Sequence, residues 1–525
     1  MKAARGHRRQ RGYPVSILSR LTSTRLALVL GAALAIAAIV VLSFVLSDRG
    51  VPAPTDGVGD IPTAHLVPDD AMLYVALSTD LDSPSWGDAF DESEDVGAED
   101  PLAQLRELLA SELGIDWDEE VEPFLGGAAV FFISSSRDGD AGDPAGAVIF
   151  RANDASAAEA VILDRRSDSF EGRRYRDVPY KVMEEGGVLA VIGDHFVYAA
   201  DDPTLRAIVD THFGDTRALA DADDFRRLRN ALEGDALAFV YIHPGNLAGV
   251  MEEALEPSGA EEAPGEEPDI LAIVGLDKLF AEPIGVVVKT DEDSFRVEAA
   301  MLGDPGPLVP LLRPRDSRFA EMVPAETVVF ASAYDVAGVV DEAFGDTGLA
   351  ARLRDAVLES ADEEGELGLV EDVLSLFEGE LALALWPSAD ADDFEFVILA
   401  EVDNEEYARE LLEELFAESL DAGEVALLVE DGIAALGPTT AALEAVLDGA
   451  GPSLAASGHF AATVSSLDNE LATFAYVDVT GLLASTLDEL DGLDFEDDTL
   501  GFIVNLLWED DRMQVEAALA SGGSD

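Results

Sequence analysis

Hydrophobic positions along the chain repeat with two different periods, and each period predicts one kind of element. Short runs rich in Val, Ile, Phe and Tyr alternate with polar residues, which is typical of half-buried β-strands. Tight turns such as Gly193-Asp194 join neighbouring runs and favour antiparallel hairpins. Strands are predicted at Ala71–Leu77, Ala129–Ile133, Ala147–Phe150, Val188–Ile192, His195–Ala200, Ala236–Ile242, Gly285–Lys289 and Phe295–Met301.

Helical periodicity occurs between these groups of strands. In Glu405–Leu420 the apolar residues recur every three or four positions, and Asp403 is a candidate N-cap. Asp202 and Pro203 fit the cap and the first position of a helix that continues through Val209. Helices that alternate with antiparallel strands predict an α+β fold, with largely antiparallel sheets flanked by helices.

The same order of elements occurs twice, which indicates an internal repeat. Val67–Leu77 resembles Val323–Ala333, and residues 219–255 align with residues 454–490 without a gap, so that Tyr241 meets Tyr476. We therefore predict two tandem homologous units behind one N-terminal transmembrane helix. The predicted organisation is a first unit at 67–305 with a mobile acidic loop at 256–269, a connection at 306–322, and a second unit at 323–525.

One uncharged run has neither pattern. Leu26–Leu46 is long enough to cross a hydrocarbon core of about 30 Å as a single helix. The residues before it include Lys and Arg but no acid, and positive charge favours the cytoplasmic side. These features predict a cell-membrane, single-pass protein with its C-terminal part extracellular. Its segments would be a basic cytoplasmic tail (1–25), a transmembrane helix (26–46) and a Pro/Gly-rich tether (47–66). The alternative is a cleaved signal peptide, although signal h-regions usually span about 7–15 residues.

Composition narrows the possible partners. The net charge is −75 at pH 7, and such an acidic surface repels nucleic acid and attracts cations. There is no cysteine, which excludes thiol chemistry and cysteine zinc sites. The acidity fits a salt-adapted exterior, and it equally fits a high-GC genome that avoids lysine.

Candidate chemistry is sparse, and the sequence assigns no catalytic, cofactor-binding or metal-binding residue. Motifs of serine hydrolases, zinc proteases, P-loops, dinucleotide sites and complete EF-hands are absent. Two aspartate-rich loops join equivalent predicted strands, but neither has the full ligand spacing for calcium, so we interpret them as solvated loops. Their acids are Asp138, Asp140 and Asp143 in the first loop and Asp390, Asp392 and Asp393 in the second.

The histidines are scattered without ligand spacing. In the alignment of the two units His243 meets Asp478, and His459 meets Asp224, which we interpret as an exchange between polar turn residues. The other histidines are His7, His65, His195 and His212. We interpret the aromatic residues at strand or helix spacing as core rather than as a ligand platform; they are Phe225, Phe239, Tyr241 and Trp386.

Two stretches carry a resemblance to a known family. They are Val67–Leu77 (VPDDAMLYVAL) and Gly114–Phe132 (GIDWDEEVEPFLGGAAVFF), the latter including Trp117 and the Phe124-Leu125-Gly126 step. They resemble a family of bacterial membrane-anchored envelope proteins, found in cyanobacteria and actinobacteria, whose domain has no known function. The resemblance extends from Val67 to Leu519. It implies an extracytoplasmic location and carries over no catalytic residue.

We therefore expect a membrane-anchored, extracytoplasmic binding or scaffolding protein of the bacterial envelope, with no identifiable catalytic chemistry. Its ligand would be an envelope protein, a lipid or a polymer bound across the repeat interface, with cations at the acidic surface. The alternative is an envelope hydrolase with an acid-pair or metal-dependent site that the sequence does not reveal. A broad groove or flat face would favour binding, whereas a cleft with convergent carboxylates of shifted pKa would favour catalysis.

Overall fold

A computed structural model describes much of the chain between residues 62 and 523. The described ranges are 62–78, 125–134, 145–164, 170–183, 187–232, 236–244, 282–291, 294–338, 379–388, 394–449, 451–486, 498–509 and 512–523. The predicted tail and transmembrane run, the acidic loop 256–269 and both aspartate-rich loops lie outside these ranges.

Strands dominate the described residues. They are β1 (Ala71–Ser78), β2 (Leu125–Ser134), β3 (Ala145–Ala152), β4 (Phe170–Tyr175), β5 (Val178–Met183), β6 (Val188–Ile192), β7 (His195–Ala199), β8 (Ala238–Ile242), β9 (Ile284–Asp291), β10 (Ser294–Met301), β11 (Val329–Tyr334), β12 (Glu380–Pro387), β13 (Phe394–Glu401), β14 (Ala426–Glu430), β15 (Ile433–Gly437), β16 (Thr473–Asp478), β17 (Asp498–Glu509) and β18 (Arg512–Gly523).

The described helices are short. They are α1 (Ala155–Asp164), α2 (Asp202–His212), α3 (Asp223–Ala231), α4 (Glu405–Leu415), α5 (Ala417–Ala422), α6 (Thr440–Leu447), α7 (Gly458–Ser465) and α8 (Val479–Thr486). Single 3₁₀ segments occur at Pro62–His65, Leu219–Asp221, Gly306–Leu312, Phe319–Glu321 and Leu454–Ala456.

All 18 described strands belong to one antiparallel sheet. Their spatial order is β4-β5-β6-β7-β3-β2-β1-β8-β9-β10-β18-β17-β16-β11-β12-β13-β15-β14. We call β1–β10 the first half and β11–β18 the second half. The two halves have the same strand order, read outward from the β10–β18 pair, except that the β4–β5 hairpin has no counterpart among the described strands.

The predicted fold class is therefore wrong. The prediction was two α+β units, each with its own sheet flanked by helices, but the structure has one large sheet with few helices. The difference arises at the seam, which we define as the β10–β18 pair. These strands are hydrogen-bonded neighbours from Ser294 opposite Ala520 to Met301 opposite Met513. Each strand thereby satisfies backbone groups that would otherwise form an exposed sheet edge.

The transmembrane and single-pass predictions also require correction. The longest helices in the described part of the chain, α2 and α4, have 11 residues each. Crossing a bilayer takes about 20 residues, and no described helix combines sufficient length with sufficient hydropathy. The run Leu26–Leu46, on which the prediction was based, lies outside the described residues.

One face of the sheet, which we call the helix-bearing face, packs against α3 and α7. In the first half the Phe225 ring of α3 contacts the Tyr241 ring, with centroids 5.4 Å apart. In the second half Phe460 of α7 contacts Tyr476 in the same way, at 5.0 Å. Phe225, Phe239 and Tyr241 are buried, as are Phe460 and Tyr476, which confirms the interpretation of the first three as core. Trp386 is also buried in the core of the second half, but it borders a cavity as well.

Several local predictions are wrong by one residue. The N-cap of α2 is Asp201 rather than Asp202, and its Oδ1 accepts a hydrogen bond from the Thr204 N–H at 2.8 Å. The N-cap of α4 is Asn404 rather than Asp403. The helix predicted at 405–420 ends at Leu415, and α5 comes next as a separate short helix. Neighbouring Asp and Asn residues give similar cap signals, so the pattern indicates only the neighbourhood of each cap.

The predicted connection, 306–322, packs against the sheet. Its Leu312 and Phe319 side chains are buried, and the Leu311 carbonyl accepts a hydrogen bond from Thr473 Oγ1 at 2.6 Å. The end of the predicted tether also packs, since Ala64 and Leu66 are buried in the core of the first half. Both segments are therefore parts of the fold.

Candidate functional site

The face of the sheet opposite α3 and α7, which we call the open face, has an unbroken apolar row. Residues that are direct register partners share one face of a sheet, so the row can be followed from strand to strand. From β14 to β6 its members are Leu427, Leu436, Ile398, Leu383, Ala331, Ala475, Val504, Ala517, Val297, Val288, Ala238, Leu77, Ala129, Phe150, Phe196 and Val191.

The two outer ends of this face are covered by helices. In the first half, Ala158 of α1 packs in a buried cluster with Phe150 and Phe196. In the second half, α4 covers Val429 and Ala434. The leucines of the 306–312 segment pack near the middle of the sheet, in a cluster that includes Val240, Ile242 and Met513. These segments cover apolar side chains that strands of this composition would otherwise expose.

Among the described residues, no segment covers the open face on β11, β12, β13 and β16. Leu383 and Ile398 are 42% and 37% exposed, and they are direct partners on neighbouring strands. Next to them in the row, Ala331 is half-buried and Ala475 is exposed. We call these four residues the open patch. Contiguous exposed apolar side chains on a sheet are characteristic of sites that bind another surface.

The helix-bearing face is polar at the seam, although it is apolar on both sides of it. Glu298 and Glu516 are 8% and 3% exposed and lie directly opposite each other. Lys289 Nζ lies 2.7 Å from the Glu298 carboxylate. Asn469 donates a hydrogen bond to Oε1 of Glu516, whereas Oε2 of Glu516 has no hydrogen-bond partner among the described residues.

The surroundings of Glu516 favour its protonated form. Burial raises the pKa of its carboxyl above the usual 4.5, and the negative charges of Glu298 and Asp468 raise it further. The hydrogen bond from Asn469 acts in the opposite direction; its effect is smaller than that of burial but larger than that of either charge. Asp468 itself is paired with Arg296 at the surface side of the cluster.

Strand register makes these two glutamates counterparts. In the first half Phe239 lies opposite Val287, which lies opposite Glu298. In the second half Phe474 lies opposite Asn505, which lies opposite Glu516. The sequence contains a signal for this equivalence, because each glutamate is the acid of a Val-Glu-Ala-Ala segment. An acid repeated at the same apolar position indicates a structural constraint.

The exchanged histidine and aspartate positions form a contact. His459 Nε2 lies 3.6 Å from Asp478 Oδ1, and both side chains are largely buried. Burial raises the pKa of the Tyr476 hydroxyl, and the charge of Asp478 raises it further. In the first half the charge of Asp224 acts on Tyr241 in the same sense. In the second half, therefore, the two exchanged positions are neighbours, and the simultaneous exchange of His and Asp in the sequence was a signal of that proximity.

The other histidines do not converge on one site. His195 is buried and its Nδ1 lies 2.9 Å from Asp194 Oδ1; burial nevertheless lowers the pKa of the imidazole. His65 and His212 are exposed. Within the described residues, no group of three His, Asp or Glu side chains has a geometry that could hold a metal ion.

A further buried acid, Glu380, has no signal in the sequence pattern. It is 1% exposed and accepts hydrogen bonds from the backbone N–H groups of Arg318 and Phe319, at 2.8 and 3.2 Å. The hydroxyls of Ser317 and Ser332 also donate to it, at 2.5 and 2.7 Å. Glu380 thereby fastens the connection between the halves to β12, which indicates a structural role.

Comparisons with known proteins add little about function. No curated protein matches the chain significantly. Crystal form III of TP0453 matches with a TM-score of 0.27 and 9% identity, covering 46% of this chain and 80% of that one. Crystal form I matches with a TM-score of 0.25 and 10% identity, covering 47% and 80%. Likenesses of this size carry no functional argument.

One comparison does assign the chain to a protein family. The family described as "Protein of unknown function (DUF3352)" matches residues 28–422, a range that includes all of the first half and β11–β13 of the second. Since this match covers well over half of the sequence, the protein belongs to the DUF3352 family.

Proposed function

We propose that this protein is an extracytoplasmic binding or scaffolding protein of the bacterial envelope, which holds a protein partner on its open patch. The observation that carries the proposal is the exposed pair Leu383 and Ile398, side by side on two strands. Their side chains add to a row of apolar residues that continues on both sides. A partner that covered this row would remove apolar area from water, the main favourable contribution to association.

A protein surface fits the patch better than a lipid or a second copy of this chain. The net charge of −75 repels anionic lipid headgroups, and it also opposes pairing between two copies. An acyl chain is usually held in a concave site, whereas the described patch is a row across a sheet. A protein partner with an apolar surface and a basic rim would complement both the patch and the charge.

The proposed location is supported by the sequence. Basic residues precede the run Leu26–Leu46 and the acidic part comes after it, a charge order that favours export of the acidic part. The resemblance to bacterial envelope proteins of cyanobacteria and actinobacteria points the same way. We also infer that the equal strand order of the two halves arose by duplication of one unit. Glu298 and Glu516 converge and the pKa of Glu516 is raised, but both are buried within the sheet and do not form the open cleft that the hydrolase alternative requires.

Site-specific photo-crosslinking in living cells tests the proposal. A photoreactive amino acid replaces Leu383 on the open patch, and in a control protein it replaces Glu444, which is exposed on α6 of the opposite face. We expect a discrete adduct with an envelope protein from position 383 only. The substitution Ile398→Glu should abolish the adduct, because it places a charge in the contact, whereas Ala441→Glu on α6 should not.

Two outcomes would contradict the proposal. Equal adducts from positions 383 and 444 would mean that contact with the patch is not specific. An adduct that survives Ile398→Glu would mean that the patch does not provide the binding energy. Protease treatment of spheroplasts tests the location, since an extracytoplasmic fold must be cleaved while the cells remain intact.

A further inference from the structure

A cavity of about 190 Å³ lies on the helix-bearing face of the second half, away from the open patch. Its walls come from three parts of the chain: the ends of β12 and β13, helix α6 with the turn after it, and the segment before β11. Trp386, Glu395 and Glu326 are among the residues that line it. A cavity of this size is smaller than the roughly 300–1,000 Å³ typical of sites for drug-sized ligands.

The walls of this cavity are held by backbone contacts. Ala325 N–H donates to the Pro452 carbonyl at 3.0 Å, and Leu454 N–H donates to the Val323 carbonyl at 2.9 Å. The turn after α6 contains Gly449 and has a positive φ of 61° there, which glycine adopts without strain. Backbone contacts therefore fix the segments that line the cavity relative to one another.

The chemistry of the lining is specific. Trp386 and Glu395 are direct register partners, so their Cβ atoms are about 4.5–5.5 Å apart on the same face. Trp386 is only 8% exposed. Glu326 adds a second carboxylate, and neither glutamate forms an ion pair with any described residue. An indole, these two carboxylates and apolar walls such as Val446 together form one small site.

This combination is found in the second half and not at the equivalent place in the first. Strand register makes Ser134 and Ala145 the counterparts of Trp386 and Glu395. The second half therefore has an indole and a carboxylate next to a cavity where the equivalent positions of the first half have neither. Packing alone would not require a carboxylate beside the indole.

We propose that this cavity, which we call the Trp386 cavity, binds an organic ammonium group. An ammonium group is attracted to the face of an indole and to carboxylates, and its alkyl substituents suit apolar walls. Two carboxylates are too few for calcium, which takes six to eight oxygen ligands. The overall negative charge raises the local concentration of cations and so favours the same class of ligand. This site is independent of the function proposed for the open patch.

Calorimetric titration of the full chain with tetramethylammonium chloride tests the proposal. We expect saturable binding, with no comparable heat from sodium chloride at equal ionic strength or from neutral tert-butanol. Ala445→Phe fills the cavity from the exposed side of α6 and should abolish binding. Ala441→Phe, at an exposed position of the same helix outside the lining, should leave binding unchanged.

A matched pair of substitutions tests whether a carboxylate of the cavity contributes to cation binding. Glu326→Gln and Glu444→Gln each remove one exposed carboxylate, but only Glu326 lines the cavity. We expect Glu326→Gln to weaken binding at least tenfold and Glu444→Gln to have no effect. Equal weakening by both would overturn the proposal, because it would mean that the general negative field binds the cation. Binding that survives Ala445→Phe would overturn it as well.

A second titration identifies the source of the ammonium group. Butylammonium represents a free amine, and N-acetyl-lysine amide represents a lysine side chain of a peptide or protein. Tighter binding of the lysine derivative would assign the site to a polypeptide partner, whereas tighter binding of butylammonium would assign it to a small amine. Failure of both, together with tetramethylammonium, would leave no ammonium ligand and refute the proposal.

Discussion

Glu298 and Glu516 face each other directly across the strand pair that joins the two halves of the sheet. Both are buried, and each is the other's counterpart in the strand order that the two halves share. Glu298 has Lys289 as a partner, but position 507, which corresponds to Lys289 in the second half, is Leu. The seam therefore places two acids together and provides a buried lysine for only one of them.

The first prediction concerns pH. The pKa of Glu516 is raised in the folded state, so its contribution to stability is complete below the usual value of 4.5 and is lost as pH rises through the folded pKa. Glu516→Gln removes this titration and keeps an acceptor for Asn469. We expect the melting temperature of Glu516→Gln, relative to that of the unsubstituted protein, to increase as pH rises above 4.5.

The control for this experiment is Glu430→Gln, which removes an exposed acid from β14. Its melting temperature should track that of the unsubstituted protein at every pH. A difference in melting temperature between Glu516→Gln and the unsubstituted protein that stays constant with pH would contradict the prediction. It would mean that the Glu516 carboxyl has the same pKa in the folded and unfolded states.

The second prediction concerns Lys289. Lys289→Leu leaves Glu298 buried without its ammonium partner and beside Glu516, and breaking such a pair typically costs about 3–5 kcal/mol. The double substitution Lys289→Leu with Glu298→Leu should recover most of this loss, because it removes the unpaired charge as well. Urea denaturation measures both free energies of unfolding. Additive losses in the double variant would show that the two side chains are not coupled.

The third prediction concerns Glu380. Glu380→Ala leaves four hydrogen-bond donors without their acceptor, two of them backbone N–H groups of the connection. We expect the free energy of unfolding to fall by about 2–4 kcal/mol, since each buried unsatisfied donor is costly. Glu321→Ala, at an exposed position in the same connection, should change it by less than about 0.5 kcal/mol. Similar effects of the two substitutions would rule out a fastening role for Glu380.

The fourth prediction concerns the exchanged pair. His459→Asp puts two acids side by side with Asp478 and should lower the free energy of unfolding by about 1–2 kcal/mol. Adding Asp478→His reproduces the residue types at 224 and 243 in the first half, and we expect it to restore most of the loss. A double variant that is less stable than the single one would show that the exchange has no compensating effect.

Strand positions could be predicted because they depend on local pattern. Each strand predicted in the first half overlaps a strand of the structure, and the alternation that placed Phe239 and Tyr241 on one face is confirmed by their burial against Phe225. Of the hairpin that was not predicted, β5 buries Val178 and Tyr180 in alternation, whereas β4 is largely polar and exposed, as at Arg173 and Arg174. Apolar alternation does not report strands that bury little.

The joining of the halves could not be predicted in the same way. Pairing of Glu298 with Glu516 is a contact between residues more than 200 positions apart, and periodicity contains no information about such a contact. The sequence also could not predict which part of the open face is covered. A row such as Leu383, Ala331 and Ala475 has the same apolar pattern whether a helix covers it or not. The Trp386 cavity is formed by three segments that are far apart in the sequence, so the sequence pattern alone could not predict it.

The β10–β18 pair also has a consequence for synthesis of the chain. As the chain leaves the ribosome, β10 is complete long before β18, the last strand described, has been made. Until then the first half has a free strand edge with unsatisfied backbone groups, a template for pairing with another nascent chain. The charged residues of β10, Arg296 and Glu298, oppose such pairing while the edge waits for its proper neighbour. Glu298, which faces Glu516 in the finished sheet, thus has an earlier role in discouraging aggregation through the β10 edge during folding.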